Sequence, residues 1–335
     1  MPEIPFLLAA IVVVALIFDY TNGAMDSGNA IATVVSTKVL SPRTAVAMAA
    51  VLNLLGAFIG TKVASTMGKG IVNADMVMGC HSLILAALLG AIVWNGLTWY
   101  LGLPSSSSHS LVGGLMGAAI AHGGWASLNY QSILEKIILP LLLSPLTGFI
   151  AGYLLMLALA WMFVRANPRK ANNAFRRLQV VSAALMATSH GTNDAQKTMG
   201  IITLALFLFG MIPEMEVPTW VKWACAGAMV LGTATGGWKI IKTMGHKIFK
   251  LEAVHGFAAE TAATMVVNTA SHFGAPISTT HVISAAVLGV GSSKRLSAVR
   301  WGVAGRMVVA WVLTIPAAAL VGAVCLYVLK ALGCT

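Results

Sequence analysis

Charged side chains are so sparse along this chain that the intervals between them predict its architecture. Counted between charged residues, with His set aside, uncharged runs extend over Met76–Leu134, Ile137–Val164, Thr261–Ser293 and Met307–Leu329. A helix that spans a bilayer needs about 20 apolar residues, so each run holds one crossing and the first holds two or more. Pro140 and Pro145 fall inside the second run. There they mark either a kink of the kind lipid-embedded helices tolerate or a break between two segments. The pattern predicts an all-helical polytopic membrane protein of about ten crossing segments.

Composition agrees with this. The 335 residues are 58% hydrophobic and 9% charged, whereas a soluble domain covers its surface with about 25% charged residues. The net charge of +11 collects in short stretches between the apolar runs: Lys38 and Arg43; Arg165, Arg169, Lys170, Arg176 and Arg177; Lys239, Lys242, Lys247 and Lys250; Lys294, Arg295 and Arg300. That is the positive-inside pattern of cytoplasmic loops. A nucleic-acid partner would need a continuous solvated basic face, so it is excluded. Cys80, Cys225, Cys325 and Cys334 show no CxxC spacing and read as small buried hydrophobes. The opening Met-Pro-Glu-Ile lacks the basic n-region of a cleavable signal, so the first helix is expected to be kept. The expected location is the inner (plasma) membrane.

Two pairs of polar motifs recur in the same order. Asn22-Gly-Ala-Met-Asp-Ser-Gly-Asn29 pairs with His190-Gly-Thr-Asn-Asp-Ala-Gln-Lys197, so that Asp26 matches Asp194. Leu103-Pro-Ser-Ser-Ser-Ser-His109 pairs with Ala275-Pro-Ile-Ser-Thr-Thr-His281. Pro104 follows Asp26 by 78 residues and Pro276 follows Asp194 by 82. Near-equal spacing of two unrelated motifs indicates duplication. The basic stretch follows the aspartate motif in the first copy (Lys38, Arg43) and precedes it in the second (Arg165 to Arg177). With basic loops on one side, the copies insert in opposite senses, as in secondary transporters built from inverted repeats with discontinuous helices. The expected organisation is a first membrane repeat over residues 1–163, a short basic cytoplasmic linker over 164–177, and a second repeat over 178–335.

Asp26 and Asp194 lie in apolar segments, where a carboxylate costs about 2.5–3.5 kcal/mol unless partners or water receive it. Gly23, Gly28 and Gly191 beside them are expected to let the helix unwind and expose carbonyls. Carboxylate, carbonyl and Asn amide together are hard oxygen ligands suited to Na⁺, and the acid alone can carry a proton. The simpler alternative is a carboxylate that locks two helices together. Pro104 and Pro276 mark the turns of two re-entrant hairpins, near 104–121 and 276–292. Ser105, Ser106, Ser107 and Ser108, and Ser278, Thr279 and Thr280, supply N-caps there. Helix N-termini present free N–H groups and a positive dipole end, so two such tips meeting could hold an oxyanion with neutral donors. His109 and His281 follow the tips and serve as well to brace the hairpin as to donate to an anion. Lys197, where the first copy has Asn29, can stand in for a bound cation beside Asp194, which predicts coupling to fewer Na⁺ or to protons. Glu260 is a further embedded acid suited to a proton or cation. Asp19 and Arg306 are expected near segment ends or paired within the bundle. The remaining histidines, His190 among them, show no metal-ligand spacing, so no metal site is expected.

These motifs resemble those of the inorganic phosphate transporter (PiT) family. The matching pieces are Asn22 to Ala30, Leu103 to His109, His190 to Thr198, Gly256-Phe-Ala-Ala-Glu260, Pro276 to His281 and Ala310-Trp-Val-Leu-Thr-Ile-Pro316, in the family's order along the whole chain. The sequence departs from it at Met25, where members commonly carry Asn or His. It also has a short basic linker where many members carry a long hydrophilic loop. The resemblance implies symport of phosphate with Na⁺ or H⁺, an inverted-repeat fold and a homodimer, with no cofactor beyond the co-transported ion. It implies cation ligands at Asp26, Asn29, Asn193, Asp194 and Glu260, and phosphate ligands at the serines and threonines after Pro104 and Pro276. The Asp194-Ala-Gln-Lys-Thr198 motif is shared with members thought to be proton-coupled and to carry metal–phosphate complexes, so a divalent metal travelling with phosphate stays open. Sulfate is the nearest rival substrate. It carries no proton at neutral pH and can only accept hydrogen bonds, whereas phosphate can also donate to a carboxylate. A passive anion channel would line its pore with rings of Arg or Lys, and the tips have none. With no GxSxG elbow, the chain is expected not to be an enzyme.

Overall fold

The computed structural model describes residues 5–69 and 80–334. The opening Met-Pro-Glu-Ile and the first residues of the Met76 run lie outside them. Among the described residues the chain is helical, with no strand. The helices are α1 (Phe6–Ser36), α2 (Pro42–Ala57), α3 (Lys62–Lys69), α4 (Ser82–Leu101), α5 (Ser107–Gly123) and α6 (Leu139–Met162), then α7 (Pro168–Leu208), α8 (Thr219–Thr235), α9 (Trp238–Lys242), α10 (Ala253–His272), α11 (Thr279–Lys294) and α12 (Trp301–Ala331). The order repeats: a long helix, a helix broken into two pieces, a hairpin of two helices, and a second long helix.

Local sequence sets several of these boundaries. Ser41 accepts from the Thr44 N–H at 3.2 Å and Pro42 opens α2. Asn167 caps α7 through the N–H groups of Arg169 and Lys170, with Pro168 in the first turn. Proline there costs no hydrogen bond, because the first N–H groups of a helix have no partner. Residues 168–177 of the expected linker are thus the first turns of α7. Pro140 falls in the first turn of α6 and Pro145 inside it, after a π-helical turn over Leu134–Ile138; the helix does not break at either. The first helix of each hairpin ends on a left-handed glycine, Gly102 (φ +66) and Gly274 (φ +70). Each glycine lets the chain reverse at a helix C-terminus at no Cβ cost. Lys239 donates to Tyr100 O at 3.0 Å and Lys62 to His272 O at 3.1 Å, so a cation from the other half caps each of these ends.

α1 and α7 run antiparallel side by side. Thr37 donates to Gln179 at one end of the pair and Thr198 to Asp19 towards the other. The halves interlock, because α6 packs on α10 and α11 while α12 packs on α4 and α5, and α1 lies along α8 while α7 lies along α2. The basic stretches gather at one end. Arg176 donates to Lys38 O, Phe175 meets the Phe257 ring of α10, and the Arg300 N–H bonds Ile248 O. Two apolar cores fill the bundle, one around Leu8, Ile11, Leu88, Leu111 and Ile202, the other around Ile31, Val34, Met186, Ile283 and Met307. Between them α1 and α7 carry a belt of buried polar side chains from Asp19 to Asn29 and from Ser189 to Thr198.

The expected ten crossings do not appear as ten long apolar helices. Among the described residues four helices are long and apolar enough to cross a membrane: α1, α4, Leu142–Met162 of α6, and α12. The bent pair of α2 and α3, which turns by 73°, makes a fifth if taken as one span. The hairpins expected near 104–121 and 276–292 turn at their prolines, and each also takes in the helix before its proline, α4 and α10, as its first arm. Lipid-like composition is equally satisfied by a helix that crosses and by one buried against its neighbours, so hydropathy alone does not separate them.

Candidate functional site

The two hairpin turns meet head to head in the polar belt. Ser106 caps α5 by accepting from the His109 N–H at 3.3 Å, and Ser278 caps α11 through the His281 N–H at 3.2 Å. The N–H groups of Ser107, Ser108, Thr279 and Thr280, in the first turns, have no acceptor within their helices. The tips touch through Ser108, which donates to Ile277 O at 3.3 Å, and through the rings of His109 and His281, 4.5 Å apart. Trp311 of α12 holds both: its indole N–H donates to Pro104 O at 2.9 Å and its ring stacks on His281 at 4.1 Å. All seven tip hydroxyl residues are buried, none above 3% exposed.

Each central acid accepts from the tip of its own half. Asp26 Oδ2 lies 2.8 Å from Ser107 Oγ, which is also 2.7 Å from Asn22 Oδ1, and Asp194 Oδ2 accepts from Thr279 at 3.0 Å. The residue one turn further on reaches across to the opposite tip. Asn29 donates to Thr280 at 2.9 Å and stands 3.2 Å from Thr279, while Lys197 donates to Ser108 at 2.5 Å. Thr280 in turn donates to Asp26 Oδ1 at 2.8 Å. Lys197 also donates to Asp194 Oδ1 at 2.5 Å and to Ile277 O at 2.9 Å. The ammonium thus lies against the Asp194 carboxylate with all three of its N–H groups used. An isolated buried carboxylate is strongly disfavoured, and this pairing relieves it for Asp194.

The structure brings together nine of the residues singled out in the sequence: Asp26, Asn29, Asp194, Lys197, Ser107, Ser108, Thr279 and Thr280, with Asn193 at the edge, where it donates to Ser271 at 2.9 Å. The others do different work. Ser105 donates to Thr98 at 2.7 Å, away from the centre, and Ser106 and Ser278 are spent as caps. Glu260 is buried towards the basic end, where Thr33 and Ser182 donate short hydrogen bonds to its two oxygens and Gln179 donates at 3.3 Å. It faces hydroxyls and an amide, apart from the tips.

One expectation fails. The helices do not unwind at Gly23, Gly28 and Gly191, for α1 and α7 are continuous through them. These glycines serve close packing instead: a Cβ at Gly191 would lie 2.7 Å from Asn53 Cα, and one at Gly23 3.0 Å from Met229 Cα. The discontinuities fall at the hairpin turns and in the α2–α3 and α8–α9 breaks. Asp19, expected near a segment end or paired within the bundle, lies fully buried in the middle of α1 with Thr198 donating to it, and Arg306 is exposed near the start of α12.

Sequence reasoning missed His190, whose Nε2 stands 3.2 Å from Asp194 Oδ2 and whose Nδ1 lies 3.1 Å from Asn53 Oδ1. Ligand atoms of Asp26, His190 and Asp194 come within 4.8 Å of one another, a nitrogen–oxygen set able to hold a cation. The i, i+4 spacing of His190 and Asp194 on a helix was the available signal. It also missed Ser27 and Gln196, which perform one task by different chemistry. Ser27 accepts from the Gly237 N–H at 2.8 Å, at the head of α9, and Gln196 accepts from the Val63 and Ala64 N–H groups at 3.0 and 3.3 Å, at the head of α3.

The sequence model of the phosphate transporter family matches residues 22–322. A protein of Bacillus subtilis (strain 168), named a probable low-affinity inorganic phosphate transporter, is 50% identical over 321 residues, covering 96% of each chain. A protein of the same name from Rhizobium meliloti (strain 1021) is 49% identical over 96% of each. Among solved structures, one described as the sodium-dependent phosphate transporter superposes with a TM-score of 0.89 at 26% identity, covering 97% of this chain and 99% of that one.

Proposed function

Because the chain belongs to the phosphate transporter family, we propose that this multi-pass membrane protein is a secondary active symporter of inorganic phosphate, driven by H⁺ or Na⁺ through alternating access. The observation that carries the reading is the buried meeting of two hydroxyl-bearing helix starts beside a pair of acids, only one of which has a fixed cation.

The arrangement supplies a reason for coupling. The hydroxyls of Ser107 and Thr280 are held by the Asp26 carboxylate, and a phosphate dianion brought beside that charge would be repelled. A proton or cation on Asp26 removes the repulsion and frees both hydroxyls to turn towards the anion. The first-turn N–H groups of α5 and α11 then add donors and the positive ends of two helix dipoles. Anion and cation therefore favour each other's binding, and a binding coupling of this kind is reciprocal. Asp194, by contrast, is already paired with Lys197. Phosphate is favoured over sulfate because it can donate a proton to a carboxylate as well as accept from hydroxyls. The tip hydroxyls are buried in this structure. Opening to either side requires one hairpin to move against α1 and α7, the kind of rocking motion used by transporters built from inverted repeats. The gathered basic loops make their end the cytoplasmic one.

Purified protein in liposomes tests this. Labelled phosphate is expected to accumulate by counterflow against its own gradient, to be displaced by unlabelled phosphate in preference to sulfate, and to be driven by an imposed cation gradient. Downhill flux without counterflow would make the protein a channel, and displacement by sulfate at equal concentration would overturn the choice of substrate.

A further inference from the structure

Asp19 has no part in the site described above, yet it is a fully buried carboxylate at the level of the polar belt. It lies seven residues, two helical turns, before Asp26 on α1, so the two project from the same face about 10 Å apart along the axis. Its Oδ1 accepts from Thr198 at 2.9 Å, and its Oδ2 is buried without a hydrogen-bond partner among the described residues. The titratable groups that face it are Asp194 and Lys197 from α7 and Cys225 from α8, with the Asn22 amide on its own helix. Lys197 cannot serve it, since its three N–H groups go to Asp194, Ser108 and Ile277. Among the described residues no ammonium, guanidinium or imidazolium is therefore left to balance Asp19, and a buried charge without a partner is strongly disfavoured.

Comparison of the halves sharpens the point. With Asp26 laid on Asp194, the positions matching Asp19 and Thr198 are Ala187 and Ala30, both buried and apolar. With Pro104 laid on Pro276, the position matching Glu260 is Leu88, also buried. Of the four acids buried among the described residues, Asp19 and Glu260 are thus the two that the repeated architecture does not require. They flank the central pair, with Glu260 bonded to Thr33 towards the basic end and Asp19 on the opposite side of Asp26.

We propose that Asp19 is a proton-carrying group of the transport cycle, binding a proton on Oδ2 from the end away from the basic loops and releasing it during each turnover. A proton suits the place better than a metal cation. Hard cations take about six oxygen ligands, and among the described residues the one oxygen bonded to Asp19 is a single hydroxyl. A proton needs only the free carboxylate oxygen.

The proposal rests on the symporter reading, and the test separates the two. Asp19→Asn keeps the shape and the Thr198 hydrogen bond but carries no exchangeable charge. In proteoliposomes, phosphate–phosphate exchange, which needs no net proton movement, is expected to stay within about twofold of the parent, while accumulation driven by a pH gradient falls about tenfold or more. Asp19→Glu is expected to restore much of the driven uptake. If Asp19→Asn accumulates phosphate like the parent, or if it loses exchange together with accumulation while Asp19→Glu exchanges normally, the proposal is wrong. A parent that accumulates phosphate on a Na⁺ gradient but not on a pH gradient also defeats it, leaving the carrier reading intact. A parent without counterflow defeats the carrier reading itself.

Discussion

Replacing Lys197 by asparagine, the residue that the first half carries at the matching position, isolates the one fixed cation of the site. The ammonium makes three buried contacts, at 2.5 Å to Asp194 Oδ1, 2.5 Å to Ser108 Oγ and 2.9 Å to Ile277 O. Lys197→Asn leaves Asp194 with a hydroxyl from Thr279 and the ring of His190 nearby, but with no permanent positive charge. Removing one member of a buried ion pair costs about 3–5 kcal/mol. At a few degrees per kcal/mol, that loss lowers the melting temperature by on the order of 10 °C. The loss is conditional, because the vacated position beside Asp194 matches the place a cation would take beside Asp26 and Asn29. A ligand present at a hundred times its Kd returns about 2.7 kcal/mol. Thermal unfolding of detergent-solubilised protein, followed by tryptophan fluorescence in choline and in sodium buffers, gives the readout. The variant is expected to melt well below the parent in choline and to recover most of the difference in sodium, while the parent gains less from sodium. Equal melting of parent and variant in choline, or equal sodium stabilisation of both, would refute the view that the ammonium occupies a cation position.

The tip hydroxyls divide by role, and substitution is expected to separate them. Ser107→Ala and Thr280→Ala each remove a donor aimed at the central charge, so each raises the KM for phosphate by roughly tenfold or more, from about 1.5–3 kcal/mol per hydrogen bond to a charged group. Ser106→Ala and Ser278→Ala remove helix caps instead and lower thermal stability by about 1 kcal/mol each; uptake kinetics against melting curves distinguish the pairs. Lys62→Met and Lys239→Met each remove a cation from the C-terminal end of a hairpin's first helix, worth about 0.3–1 kcal/mol. Faster amide hydrogen exchange is expected around residues 270–278 for the first and 98–106 for the second, and no change at either segment would show that the lysines do not hold the hairpins.

Much of the site was readable from one sequence because the chain states its motifs twice. Asp26 with Asp194 and Ser106 with Ser278 could be matched by order and spacing alone, and the helix-start chemistry of Ser, Thr and Pro is local. The Glu260 contacts could not be read the same way. Thr33, Gln179 and Ser182 reach it from two other helices, and nothing in their own surroundings marks them. Gly23 and Gly191 were legible as special but not as to why, since glycine serves an unwound helix and a close helix crossing equally well. Asp19 could be placed no better than near an end or paired in the bundle, because a single acid before the first motif has no partner in the sequence; Thr198, at its side, lies 179 residues away.

The amino-acid sequence by itself determined that this protein lives among lipids, and it showed two pairs of recurring polar motifs, which the fold brings to one buried centre. Those properties depend on composition, charge placement and recurrence, which act along the chain. Only the tertiary structure decided that the helices before Pro104 and Pro276 are hairpin arms, that the halves trade their packing partners, and which acids face a cation and which stand alone. These depend on the register between helices far apart in sequence, and a buried carboxylate's balance is set by whatever neighbouring helices place within about 4 Å of it.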